Sequence, residues 1–76
     1  MQMKLGDIYL GEQVRLVDIP QNCPVRLRLA QFGLGPGSQV RCRCFSPGHH
    51  LVALEWEGTV LAVRRKDLMG ITALRC

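Results

Sequence analysis

Aromatic residues are scarce in this chain, with one Trp, one Tyr and two Phe among 76 residues. A surface that stacks nucleic-acid bases therefore has few candidates: Tyr9, Phe32, Phe45 and Trp56. Long apolar runs are missing too. Nothing approaches the roughly 20 apolar residues of a membrane-spanning helix. The opening Met1-Gln2-Met3-Lys4-Leu5-Gly6-Asp7 lacks the apolar stretch of a signal peptide, so the expected location is the cytoplasm. Acidic residues are few and scattered, which leaves no apparent acid/base pair. There is no phosphate loop ending in Lys-Ser/Thr, no serine in a nucleophile elbow and no Cys-x-x-Cys zinc spacing. These absences together predict a protein that is not an enzyme.

The charge that is present is basic: ten Lys and Arg against six Asp and Glu, a formal net charge of +4. That balance admits an acidic protein surface, an anionic membrane face or nucleic acid, and also a merely solvated surface. Four cysteines, Cys23, Cys42, Cys44 and Cys76, are free thiols if the compartment is reducing. Cys76, the last residue, reads as exposed and open to intermolecular disulfides in air, with no function attached.

The apolar pattern runs mostly with period two. Residues 13–19 read as a strand with Val14 and Leu16 on one face, although Val17 breaks the alternation. Pro20 to Pro24 break it. Asn22 or Cys23 is placed to cap a helix over residues 24–32, whose Val25, Leu29 and Phe32 face inward. Gly33 follows as a C-terminal cap, and Gly35-Pro36-Gly37 as a tight turn in which both glycines take conformations closed to other residues. In the strand 38–45, Val40, Cys42 and Cys44 share the core face, and Arg41 and Arg43 the outer one. Residues 51–56 and 59–64 form a hairpin about Glu57-Gly58, with Trp56 inward. Arg65 to Met69 predict a single 3-10 or helical turn before a last strand over 71–75. Five short strands with one helix between the first and second are best closed as a small SH3-like barrel, an OB-like barrel ranking second.

Three motifs, in order, then resemble the ferrous-iron-transport protein A (FeoA) family. They are Leu5-Gly6-Asp7-Ile8 with Gly11-Glu12, the segment from Leu29-Ala30-Gln31-Phe32-Gly33 to Leu34-Gly35-Pro36-Gly37, and Leu61-Ala62-Val63-Arg64-Arg65-Lys66-Asp67-Leu68. Phe32 stands where the family usually has Met, and Ser46-Pro47-Gly48-His49-His50 departs from the family's loop. The resemblance implies one FeoA-type SH3-like domain over residues 1–76. It also implies a protein that binds and modulates FeoB, a membrane ferrous-iron transporter with a cytoplasmic GTP-binding domain, without inserting into the membrane itself. The same fold occurs as a C-terminal domain of metal-dependent repressors.

Candidate partner-binding residues follow from parity. Leu10, Leu34, Leu51, Val60 and Leu68 fall outside the core and suggest an apolar patch. Arg41, Arg43, Arg64, Arg65 and Lys66 are expected to converge into one basic stripe. His49 and His50, in a loop, are the candidates for a divalent transition metal. Exposed strand edges admit a homo-oligomer. Two other functions stay open: a basic barrel that binds nucleic acid, and a metal-binding regulatory domain.

Overall fold

The computed structural model describes residues 2–75; Met1 and Cys76, with the reading of Cys76 as an exposed thiol, lie outside them. Alternating segments assemble into one antiparallel sheet. Its strands are β1 (Gln2–Lys4), β2 (Gln13–Asp18), β3 (Gln39–Phe45), β4 (Leu51–Trp56), β5 (Thr59–Arg64) and β6 (Thr72–Arg75), in the order β1-β6-β2-β3-β4-β5. The sheet curls into an SH3-like barrel around Leu5, Leu16, Leu29, Leu54, Leu68 and Ile71, each almost fully buried. The five expected strands are β2 to β6, and helix α1 (Arg26–Gln31) lies between the first two of them. β1 is additional. It has three residues and an exposed–intermediate–exposed pattern, too short to display a period.

Local chemistry explains most boundaries. α1 begins two residues later than expected, and neither Asn22 nor Cys23 caps it: Val25 is the N-cap and no side chain bonds there. The backbone takes that role, with the Arg26 N–H donating to the Cys23 carbonyl at 3.1 Å. At the other end the Leu34 N–H donates to Leu29 O at 2.9 Å and the Gly33 N–H to Ala30 O at 3.0 Å. This is the Schellman pattern, made by Gly33 at φ +82°. In that motif the residue after the glycine turns back onto the helix, so Leu34 is buried rather than part of a surface patch. Phe32 moves the other way: it is 46% exposed and meets Trp56 edge-on, with centroids 6.5 Å apart. In the next turn only Gly37 has positive φ; Gly35 instead donates its N–H to Ser38 Oγ.

Two register shifts correct the parity reading. One lies between Leu16 and Asp18, the place where Val17 broke alternation. The other, between Cys42 and Cys44, gives β3 an extra residue, so Cys42 stays buried while Cys44 turns outward. Burial pushes the Cys42 thiol up.

The barrel closes at a corner of two 3-10 turns, Leu5–Asp7 and Arg65–Leu68. The Leu5 N–H donates to Ile71 O at 2.8 Å. Gly6 is buried there; a Cβ on it would overlap Met69 Sδ and stand 3.0 Å from the Arg65 carbonyl. Leu68, expected at the surface, is fully buried because the chain leaves period two at Arg65 and the 3-10 turn folds it into the core.

Candidate functional site

The Glu57-Gly58 turn, at φ +46° and +80°, is a two-residue connection of the I′ kind that matches strand twist. It sets the β4–β5 register from Trp56 opposite Thr59 down to Leu51 opposite Arg64. His49 and His50 therefore lie beside the start of the Arg65–Leu68 turn, and the Arg65 N–H donates to His50 O at 2.9 Å. Between these segments opens a cleft of about 730 Å³, lined by Gly48 to Leu51, Arg64 to Lys66 and Met69. None of the lining residues is acidic.

The cleft wall is held in place from both sides. Gly48 and His49 both have positive φ, at +81° and +60°, which turns the loop sharply. The His49 ring lies flat on Phe45, 4.6 Å between centroids with an interplanar angle of 13°. Arg65 Nε donates to Gly6 O at 2.7 Å, and its guanidinium is 3.9 Å from Asp7. Arg64 and Lys66 form no ion pair among the described residues.

The expected single basic stripe is divided. Arg43 pairs with Glu55 at 2.8 Å, and Arg41 donates to Gln13 Oε1 at 3.1 Å. Arg41 borders a separate depression shared with Glu55 and Glu57. Only Arg64, Arg65 and Lys66 line the cleft. The apolar patch also breaks up. Leu34 and Leu68 are core, while Leu51, Val60 and Leu10 are 42%, 47% and 66% exposed. Of these, only Leu51 reaches the cleft. Leu27, at 72% exposure, is a surface residue that parity did not single out.

His49 and His50 both line the cleft. No cluster of three or more His, Cys, Asp or Glu side chains able to hold a metal forms among the described residues. A third group went unread in the sequence: Glu12, Arg75 and Tyr9. Glu12 accepts from the Tyr9 N–H at 3.0 Å and pairs with Arg75, whose guanidinium lies 4.8 Å from the Tyr9 ring centroid. Burial works against the Glu12 carboxylate, yet the Tyr9 N–H and Arg75 together hold it below the ordinary carboxylate range. The contact joins residues 63 apart in sequence, with no local pattern to announce it.

A barrel of this order, with a Schellman-capped helix between its second and third strands and a 3-10 turn before its last, belongs to the class of small SH3-like modules. The family model that matches is the FeoA domain, over residues 3–73, and the chain belongs to that family, whose small domains are associated with iron transport. The solution structure of the FeoA protein from Chlorobium tepidum is 27% identical; the alignment covers 96% of this chain and 70% of that one, at a TM-score of 0.86. A crystal structure of an iron uptake regulatory protein (FeoA) is 18% identical, covering 100% and 99% of the two chains at a TM-score of 0.81. A manganese-dependent transcriptional repressor in complex with manganese shares the fold at 16% identity and a TM-score of 0.83, with 99% of this chain on 37% of that one. No curated protein matches. Among the described residues, no helix is long and apolar enough to cross a membrane.

Proposed function

We infer that this chain is a cytoplasmic protein-interaction module. It supports ferrous-iron uptake by binding the cytoplasmic part of an FeoB-type transporter that carries a GTP-binding domain, and it reaches the membrane only through that partner. The observation that carries this reading is the family match, which takes up residues 3–73 of 76. The interior adds support. The core is apolar apart from the Cys42 thiol, and no Asp, Glu, His, Lys or Arg side chain is buried among the described residues. Their chemistry lies on the outside, as it does in a binding module. Ferrous iron is the transporter's cargo in this reading, not a resident cofactor of the barrel.

The test is a pull-down from membranes with this chain as bait, beside ferrous uptake in a strain lacking the gene. The transporter's capture and reduced uptake are expected. No interaction with its cytoplasmic domain in any nucleotide state, together with unchanged uptake on deletion, would overturn the reading.

A further inference from the structure

We propose that the cleft between the His49-His50 loop and the Arg65–Leu68 turn docks an acidic polypeptide segment that carries an apolar side chain. The proposal rests on the reading of the chain as a protein-binding module and names the chemistry of the partner surface.

Charge is the first argument. Arg64 and Lys66 are both exposed and have no ion-pair partner among the described residues, whereas Arg43 and Arg75 are each matched by a glutamate. Arg65, between them, is already oriented by its bond to Gly6 O, so less side-chain freedom is lost when it meets a carboxylate. With no acidic residue in the lining, a carboxylate entering the cleft meets the two cations unpaired among the described residues, Arg64 and Lys66, beside Arg65, whose charge Asp7 partly offsets at 3.9 Å.

The second argument is the apolar wall. Leu51 is 42% exposed and, with Met69, gives the cleft a surface that an apolar side chain can cover. Methionine adapts to irregular partners. A nucleic-acid strand fits less well: no Phe, Tyr or Trp lines the cleft, and one face of the His49 ring is taken by Phe45.

The experiment is an NMR titration of the ¹⁵N-labelled chain at about 0.15 M salt, where the Debye length is about 8 Å and distant charges are screened. The probes are a short peptide of glutamates flanking one leucine, the same peptide with lysines for glutamates, and a single-stranded oligothymidylate. The glutamate peptide is expected to shift amides of residues 48–51 and 64–69, and the lysine peptide to shift none. The double variant R64E/K66E is expected to weaken the glutamate peptide about tenfold or more. The charge-matched variant R15E/R28E, at two exposed positions outside the cleft, is expected to change it less than threefold. Equal loss in both variants, shifts elsewhere, or tighter binding of the oligothymidylate at the cleft would overturn the proposal. A parallel measurement uses the transporter's cytoplasmic domain. If that domain binds wild type and R64E/K66E equally, the cleft assignment fails and the module reading stands. If it binds neither while the peptide still docks, the module reading fails and the cleft stands.

Discussion

Two pairs of basic residues on this barrel carry the same formal charge in different circumstances. On β3, Arg41 and Arg43 are engaged by Gln13 and Glu55 across neighbouring strands. At the end of β5, Arg64 and Lys66 are left without such partners among the described residues, while Arg65 between them is held by its N–H to His50 O and its Nε to Gly6 O. Counting basic residues makes the two groups look alike. Pairing separates them: Glu55 neutralises Arg43 and Gln13 holds the Arg41 guanidinium against the sheet, whereas Arg64 and Lys66 keep their charge for something outside the molecule.

The difference can be broken at its foundation. Gly6→Val should push against Met69 and the Arg65 carbonyl, dislodging the turn that carries the free cations. The expected loss is about 2–3 kcal/mol of stability by urea unfolding, the size of an overpacked core site, with loss of the glutamate-peptide shifts. A fully stable Gly6→Val would mean that the corner is soft. Gly33→Val, at a positive-φ site with open space around it, should cost about 1–2 kcal/mol through backbone strain alone and leave the cleft shifts in place. Melting at the wild-type temperature would refute it.

Acid sharpens the contrast between paired and free charge. The Glu12 carboxylate is held below its ordinary value of 4.5 by Tyr9 and Arg75 against the opposing effect of burial. Its contribution to stability is therefore fully present above about pH 4.5 and is lost as pH falls through the lower folded value. The stability gap between wild type and Glu12→Gln should narrow on acidification; a constant gap between pH 6 and pH 3 would contradict this. The smallest effect concerns the paired group itself. A double-mutant cycle on Arg43 and Glu55 should give a coupling of about 0.2–1 kcal/mol, as exposed pairs do, and Arg64→Ala should change stability by less than about 0.5 kcal/mol. A larger loss for Arg64→Ala than for Arg43→Ala would reverse the comparison.

Much of the fold was legible because period two and turn chemistry agree. Residues 51–56 and 59–64 are strands with the bounds that the alternation and Glu57-Gly58 imply. The 3-10 turn at Arg65 and the Gly33 cap are also where their residues point. What was illegible came from places where local rules stop. A bulge leaves no mark in the composition of Val40 to Phe45, so Cys44 looked like core. A Schellman turn buries the residue that follows it, which parity cannot see at Leu34. The cleft is an intermediate case. Once the hairpin turn is accepted, its register alone brings Leu51 opposite Arg64 and so His50 beside Arg65, and counting back from the turn would have found it. The division of the basic stripe could not be found that way, because it depends on which side chains meet Glu55 and which do not.

The register slip in β3 has one further consequence. It sets two thiols, two positions apart, on opposite sides of the barrel wall, Cys42 sealed and Cys44 in solvent. A thiol reagent should modify Cys44 at a rate set by the reagent's own chemistry. Cys42 should react only as often as the wall opens. Mass spectrometry of the fragment that holds both would then time the opening of the barrel against an internal reference carried by the same strand.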